Sequence, residues 1–269
     1  MIDATLDGGG HSLAIKKQFP GVEVLGIEFD PVEVREFIAN HPGAPIAVVN
    51  DSYINMKAIA AEHKFLPGGI IFDLGVSSWH YQSSNRGFSF QKDEPLDMRF
   101  NPEQQKITAA DILNTWDEKE LERIFKEYGE EQFAELIATQ IVRQRREKPI
   151  LTTQELAKLI EDAVPEWYKH RKINPATKTF QALRIAVNNE LETIRSGLEA
   201  AIEVLQPLGR LVVISFHGLE DKVVRAVFKE AVTAGKLVWV TKDTIKPTWN
   251  EIQNNKRARS AKMKIAQKV

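Results

Sequence analysis

The 269-residue sequence predicts an α/β fold built on a largely parallel sheet. Short runs of aliphatic and β-branched residues alternate with helical patterns in the first and last thirds of the chain, which is typical of strand–helix–strand units. Glycines and polar residues directly follow the predicted strands, and open α/β sheets bind their ligands at that edge. The sequence therefore predicts both the fold class and the edge of the sheet that holds the site.

The predicted elements follow one another in a simple order. After a short strand at the N-terminus, buried strands are predicted at residues 22–29, 45–49, 69–72 and 211–216. A long helix is predicted at 180–205, and Pro207-Leu208-Gly209 ends it. Segments 236–241 and 263–267 are predicted to form a terminal pair of strands.

The chain between the strands at 69–72 and 211–216 is far longer than one crossover requires. Helical apolar spacing runs through Leu121, Ile124 and Phe125, and it recurs further along this stretch. We expect residues 101–178 to form a helical insertion over the catalytic face that recognises the substrate. The α/β domain is then formed by residues 1–100 and 179–269.

Composition narrows the class of protein. The chain has no cysteine, which excludes disulfides and thiolate metal sites and fits a reducing compartment. No basic segment followed by an apolar one opens the chain, and the apolar runs are too short to cross a bilayer. We therefore expect a soluble, cytoplasmic protein without a membrane partner.

The net charge of −1 does not by itself indicate a nucleic-acid-binding protein, but the distribution of charge does. Basic residues gather in three clusters: Arg143, Arg145, Arg146 and Lys148; Lys169, Arg171 and Lys172; and Lys256, Arg257, Arg259, Lys262, Lys264 and Lys268. Such patches neutralise phosphates while an acidic remainder balances the total. For any single cluster, a solvated face is an equally good interpretation.

A glycine-rich turn, Gly8-Gly9-Gly10, joins the first strand to a helix. Glycines let the backbone approach a ligand at a helix N-terminus. The turn lacks the G-x-G-x-x-G spacing of dinucleotide-binding loops, so a nicotinamide-dependent oxidoreductase is the weaker alternative. Glu28 ends the second strand and is placed to accept hydrogen bonds from both ribose hydroxyls. Taken without the surrounding pattern, Glu28 is better explained as a solvated carboxylate at a strand end. The pattern favours S-adenosylmethionine.

Five segments, in order and spread over nearly the whole chain, carry a family resemblance. They are Asp3-Ala4-Thr5-Leu6-Asp7-Gly8-Gly9-Gly10-His11-Ser12, the block from Asp73 to Arg99, the run from Asn174 to Arg184, Ile214-Ser215-Phe216-His217-Gly218-Leu219-Glu220-Asp221, and Arg257-Ala258-Arg259-Ser260. The chain resembles the RsmH (MraW) family. Members of that family are S-adenosylmethionine-dependent methyltransferases that modify N4 of a decoding-centre (P-site) cytidine in 16S ribosomal RNA.

The resemblance implies a Rossmann-like class I S-adenosylmethionine-dependent methyltransferase fold with a helical insertion domain. The implied cofactor is S-adenosyl-L-methionine and the implied partner is the small ribosomal subunit; a homodimer is left open. The implied cofactor-binding residues are Asp3, Gly8, Gly9, Gly10, His11, Glu28, Tyr53, Asp73 and His80. By the resemblance, Gly9, Gly10 and His11 contact the methionine part, and Tyr53 stacks beside the adenine.

Methyl transfer to cytosine N4 is mainly a positioning problem, because the sulfonium already activates the methyl group. Acceptors aimed at the N4 hydrogens favour the attacking form of the amine and stabilise the positive charge that it acquires. Asp73 is the first candidate for this acceptor and Asp97 the second. Since a paired base hides N4, the nucleotide is expected to be unpaired or flipped.

Further residues are expected to contact the RNA through stacking or phosphate binding. They are Arg86, Phe88, Phe90, Arg99, Arg184, His217, Arg257 and Arg259. For each phenylalanine, packing in a loop-anchoring core is the alternative, and the segment containing Arg184 is equally well explained as a helix cap. No metal site is predicted, because the spacing of His217 and Glu220 is a weak signal without a second histidine nearby.

Asp7 is the main departure from the family pattern, which has glycine at this position. A carboxylate beside the cofactor's own carboxylate would repel it, whereas contact with the cofactor's amino group would be favourable. Asp7 and the short segment before the first strand motivate an alternative function. In that alternative the chain is a non-catalytic ribosome-assembly factor that binds RNA and has a weakened cofactor site.

Overall fold

The computed structural model describes residues 1–241 and 243–269. The strands are β1 Ile2–Asp3, β2 Leu25–Glu28, β3 Ala47–Asn50, β4 Gly69–Asp73, β5 Arg210–Ser215, β6 Leu237–Trp239 and β7 Lys262–Lys268. The helices are α1 Gly10–Gln18, α2 Pro31–Asn40, α3 Met56–Glu62, α4 Ser78–Gln82, α5 Ala109–Thr115, α6 Glu118–Glu127, α7 Ala134–Glu147, α8 Thr153–Ala163, α9 Glu166–Lys169, α10 Ala176–Asn188, α11 Glu190–Val204, α12 Gly218–Thr233 and α13 Trp249–Asn254, with 3₁₀ turns at Tyr53–Asn55 and Lys256–Ser260. No helix within these described residues is long and apolar enough to cross a membrane.

The described residues separate into two compact units. Met1–Gly75 and Leu191–Val269 form one, here called the sheet unit, and Val76–Glu190 form the other, here called the helical unit. Each has its own apolar core: the sheet unit buries the aliphatic side chains of β1, β2, β4 and β5, and the helical unit buries the inner faces of α5–α8 and α10.

The sheet unit contains one seven-stranded sheet in the order β3-β2-β1-β4-β5-β7-β6. Strands β1 to β5 are parallel, and β7 runs antiparallel to both β5 and β6. The chain moves outward from β1 to β3 and then returns to the other side of β1 with β4. Ligands of open α/β sheets bind where the strand order reverses in this way. The carboxyl ends of β1 and β4 are therefore the expected place for a site.

The predicted mixed α/β class is confirmed, and every predicted strand is present with slightly shifted ends. The predicted terminal pair is also confirmed, as β6 and β7. These strands were predictable because a strand covered on both faces is a continuous apolar run. β2 is an example, since all four of its residues are buried.

The single helix predicted at 180–205 is wrong. The chain instead breaks at Asn189, which adopts a left-handed conformation with φ 48° and ψ 41°. Asparagine tolerates this conformation better than most residues. The break is braced on both sides: the Asn188 amide donates to the Met98 carbonyl at 2.8 Å, and the Arg184 guanidinium binds the Glu190 carboxylate at 2.7 and 2.9 Å.

The predicted domain boundaries, at 100 and 178, also need correction. The helical unit begins at Val76 and ends at Glu190, so it is longer than the predicted insertion at both ends. The reason is packing, because Phe88, Leu96 and Met98 belong to the core of the helical unit and α10 closes that core. Its role in substrate recognition stays a prediction.

We expect Asn189→Ala to lower the free energy of unfolding by about 1 kcal/mol, because alanine is strained in the left-handed region. Asn189→Gly should change it by no more than a few tenths of a kcal/mol. Urea denaturation followed by circular dichroism measures both variants. Equal effects of the two substitutions would show that the Asn189 side chain, and not its backbone conformation, matters at the break.

Candidate active site

The glycine turn shapes open space at the carboxyl end of β1. Gly9 has φ 74°, and a Cβ atom there would lie 2.2 Å from Cε2 of Phe37, so only glycine fits. Gly8 and Gly10 are exposed, and a Cβ atom at either position would meet nothing within 4 Å. The space lies before the N-terminus of α1, whose first turn carries no acidic side chain. Such a terminus binds anionic groups through its free backbone N–H groups.

Glu28 organises the neighbouring edge of this space. Its side chain is buried at the end of β2, and its carboxylate accepts hydrogen bonds from two backbone N–H groups. The Asp7 N–H donates to Oε2 at 2.9 Å, and the Asp30 N–H donates to Oε1 at 2.8 Å. A carboxylate offers about four acceptor positions, so these bonds leave the predicted ribose contact chemically feasible.

Asp73 lies at the end of β4, and its two carboxylate oxygens have different surroundings. Its N–H donates to Thr5 Oγ1 at 2.7 Å, and its Oδ2 lies 3.2 Å from Nε2 of His11. That contact raises the pKa of His11. Oδ1 of Asp73 is buried and has no hydrogen-bond partner in the part of the chain that the structure describes. A buried unpaired acceptor is destabilising, so a ligand that donates a hydrogen bond to it is strongly favoured.

Two further carboxyl groups complete an acidic cluster. Asp3 is buried, and its Oδ2 accepts a hydrogen bond from Ser12 Oγ at 2.6 Å. Burial raises the pKa of Asp3 to about 6, although the Ser12 hydrogen bond opposes the shift. Asp7 has φ 44°, and burial together with the charge of Glu28 raises its pKa well above the usual range. The site therefore favours protons and positively charged ligand groups.

Tyr53 lies on the wall formed by the 3₁₀ turn before α3. Its ring packs edge-on against Phe72 with the centroids 5.3 Å apart. Gly197 in α11 makes room for this ring, because a Cβ atom at position 197 would lie 2.3 Å from Cδ2 of Tyr53. Sequence reasoning missed Gly197, and the signal available was a glycine inside a helical pattern.

His80 belongs to the helical unit, where it is buried among aromatic rings. Its Nδ1 lies 2.8 Å from Ser77 Oγ, and the rings of Phe88 and Phe100 lie 4.8 and 5.1 Å from its own. These contacts fix the orientation of the imidazole. The predicted contact of His80 with the cofactor stays a prediction.

The RNA contacts predicted for Arg99 and Arg184 require correction. Asp97 and Arg99 bind each other through two hydrogen bonds of 2.7 Å, so both carboxylate oxygens of Asp97 are engaged. Arg184 binds Glu190 in the same two-pronged way, and its side chain is only 11 % exposed. The planar guanidinium matches a carboxylate as well as it matches a phosphate. These arginines therefore brace loops, whereas the role of Asp97 as the second candidate acceptor stays a prediction.

The residues of the loop after α4 also differ from expectation. Phe88 is buried, and its ring stacks on that of Phe100 with the centroids 5.5 Å apart and the planes at 12°. Phe88 therefore anchors the loop, which corrects the prediction that it stacks on RNA. Phe90 is half-buried and packs edge-on against Phe180. Arg86 donates to the Phe100 carbonyl at 3.0 Å, so part of its guanidinium holds the same loop together.

The remaining predicted RNA contacts lie in the sheet unit and divide into two kinds. His217 precedes α12, and its Nε2 lies 2.9 Å from Oε1 of Glu220, which positions the start of the helix. Arg257 and Arg259 are exposed on the 3₁₀ turn, and neither has an ion-pair partner among the described residues. Of the arginines predicted to contact RNA, these two are therefore the ones best able to bind a large anion.

The pKa of Asp3 predicts how stability depends on pH. The unfolded chain releases this proton near pH 3.8 and the folded protein near pH 6, so the contribution of Asp3 to the free energy of unfolding falls as pH rises through this window. The stability of wild type relative to Asp3→Asn should fall by about 2 kcal/mol between pH 4 and pH 6. Urea denaturation at several pH values measures it. Glu62→Gln, at an exposed position of the sheet unit, is the control. If the free energy of unfolding of wild type and of Asp3→Asn changed with pH in the same way, the raised pKa of Asp3 would be contradicted.

Comparison with known proteins confirms the resemblance found in the sequence. "Ribosomal RNA small subunit methyltransferase H" of Persephonella marina is 40% identical over 100% of this chain and 92% of its own length. The proteins of the same name from Dehalococcoides mccartyi and Carboxydothermus hydrogenoformans are each 42% identical over 100% of this chain, covering 80% and 91% of their own lengths. The pattern of the MraW methylase family matches residues 1–269, and the chain belongs to that family.

Proposed function

We propose that the protein transfers a methyl group from S-adenosyl-L-methionine to N4 of a decoding-centre cytidine in 16S ribosomal RNA. The observation that carries this proposal is the buried, unpartnered Oδ1 of Asp73 beside the glycine turn. Membership of a methylase family supports the reaction, and the names of the relatives support the small-subunit ribosomal RNA as substrate. A cytoplasmic location follows from that substrate.

The residues of the sheet unit fit this cofactor. Glu28 would accept the ribose hydroxyls, and Tyr53 would pack beside the adenine. Backbone N–H groups at the start of α1 would hold the cofactor's carboxylate, and the open space over Gly8 and Gly10 leaves room for it. The acidic cluster suits the cofactor's two positive charges. When bound, S-adenosyl-L-methionine supplies a methyl group that its sulfonium has already activated.

Asp73 performs the step that the protein itself must contribute. Its Oδ1 would accept a hydrogen bond from the N4 amine, which favours the attacking geometry and stabilises the positive charge on nitrogen. His11 holds Oδ2 and Thr5 holds the backbone of Asp73, so Oδ1 is the oxygen left to the substrate. The new nitrogen–carbon bond would replace the methyl carbon–sulfur bond, whose electrons stay on sulfur as a neutral thioether. The amine would then release one proton to water, because the product carries one hydrogen fewer on N4.

Asp7 is the observation that favours the second candidate, a non-catalytic assembly factor. An ionised Asp7 would repel the cofactor's carboxylate. Burial and the charge of Glu28 raise the pKa of Asp7, so its carboxyl is less readily ionised than an ordinary aspartate and the repulsion is weaker. This consideration favours the enzyme. Calorimetric titration with S-adenosyl-L-methionine separates the two candidates, because only the enzyme requires binding.

We expect Asp73→Asn to slow methyl transfer by roughly one to three orders of magnitude at saturating cofactor, because the amide accepts less strongly than the carboxylate. The assay follows labelled methyl groups from S-adenosyl-L-methionine into small ribosomal subunits and identifies the modified base by mass spectrometry. Cofactor affinity is measured separately by calorimetry. A normal saturated rate would make Asp73 a cofactor-binding or structural residue.

The double variant Arg257→Ala/Arg259→Ala should bind RNA more weakly and with a flatter salt dependence. Each lost phosphate contact lowers the slope of log affinity against log salt by about 0.7 to 0.9. Fluorescence anisotropy with labelled ribosomal RNA fragments at several salt concentrations measures the slope. Arg195→Ala is the matched control, since Arg195 is tied to Glu199 and Glu230 in the same unit. An unaltered slope in the double variant would show that this turn is only a solvated face.

A further inference from the structure

A second aromatic and basic feature lies in the helical unit, at the short helix α9 and the residues after it. Trp167 is 56% exposed. The Arg171 guanidinium lies over the same cluster, with its Cζ 5.3 Å from the ring centroid of Trp167 and 5.0 Å from that of Tyr168. The planar indole of Trp167 and the planar guanidinium of Arg171 therefore lie together at the protein surface.

This surface is held in place from below. Tyr168 is buried, and its hydroxyl donates to the carboxylate of the buried Glu131, with Oε2 at 2.8 Å. Phe133 packs edge-on against both Trp167 and Tyr168, with centroid distances of 5.8 and 4.9 Å. The exposed ring thus rests on a buried polar anchor and a second aromatic ring, and little ordering remains to be done when a ligand binds.

The segment 166–173 around Trp167 has more basic than acidic residues. Lys169 and His170 lie 2.9 and 3.3 Å from the Glu166 carboxylate, which is the one acidic group of the segment 166–173. Arg171 and Lys172 are exposed, and neither has an ion-pair partner among the described residues. The surface therefore combines a stacking face with two unneutralised cations, which is the combination that binds single-stranded nucleic acid.

We propose that Trp167 and Arg171 form a stacking platform for an unpaired base of the substrate RNA, with Lys172 against an adjacent phosphate. Stacking on an aromatic ring or on a guanidinium suits any base, because every base has a π-face. A protein partner would also bury an exposed tryptophan, but the consecutive cations favour a polyanion. This inference rests on the proposed function, since it supposes that the substrate is RNA.

The test uses the full chain and a fluorescein-labelled single-stranded oligouridylate, with affinity measured by fluorescence anisotropy. Trp167→Ala and Arg171→Ala should each weaken binding by about fivefold or more, and Trp167→Phe should retain most of the affinity because it keeps a π-face. The control is Arg123→Ala. Arg123 also lies over an aromatic ring of this unit, 5.8 Å from the Tyr128 centroid, but it is tied to Glu120 and Glu127. Its loss should leave RNA affinity unchanged.

Several outcomes would overturn the platform. Wild-type affinity in Trp167→Ala would do so, as would an equal loss in Arg123→Ala. If Trp167→Ala fails a thermal-melt check of folding, Arg171→Ala and Trp167→Phe decide the question. Weaker binding to assembled small subunits with unchanged oligouridylate affinity would assign the surface to a protein partner. Methyl transfer by the wild type to small subunits tests the proposed function separately, so either idea can fail while the other stands.

Discussion

The Glu28 carboxylate is the group on which the candidate site depends. It is buried at the end of β2 and accepts the N–H groups of Asp7 and Asp30, so one side chain holds the glycine turn and the start of α2 together. Backbone N–H groups satisfied by a carboxylate form strong, charge-assisted hydrogen bonds. Loss of Glu28 would therefore disturb the shape of the turn as well as any ribose contact. For this reason Asp73, whose backbone is held independently by Thr5, is the cleaner probe of chemistry.

The site concentrates negative charge that the folded protein alone does not neutralise. Asp3 and Asp7 lie near Asp73, Glu28 lies near Asp7, and the His11 imidazole, whose pKa the contact with Asp73 raises, is the basic group placed against this cluster. The raised pKa values of Asp3 and Asp7 show that keeping these carboxylates ionised is unfavourable. A bound ligand with positive charges would make the ionised forms of these carboxylates favourable. The arrangement is thus better explained by ligand binding than by stability, as expected of functional sites.

The sequence predicted the sheet well and the helical unit less well, for physical reasons. Parallel strands buried on both faces are continuous apolar runs, and the sharp turn at Gly9 requires a residue without a side chain. The break at Asn189 carries no glycine or proline, and it depends on Asn188 binding a carbonyl far away in sequence. Likewise, no local pattern shows that Phe88 stacks on Phe100. What was missed depends on long-range partners.

The arginines illustrate the same limit for function. Sequence patterns identify Arg99, Arg184 and Arg257 equally well as phosphate-binding candidates, because the residue type is the whole signal. In the structure, Asp97 and Glu190 engage the first two through paired hydrogen bonds, whereas Arg257 is exposed. A guanidinium that already makes two hydrogen bonds to a carboxylate would have to break them to bind RNA. Breaking such a pair costs much free energy when the pair has little exposure to water. Surfaces whose cations have no carboxylate partner are therefore better candidates for binding a polyanion, and among the described residues the C-terminal 3₁₀ turn and the segment beside Trp167 are two of them.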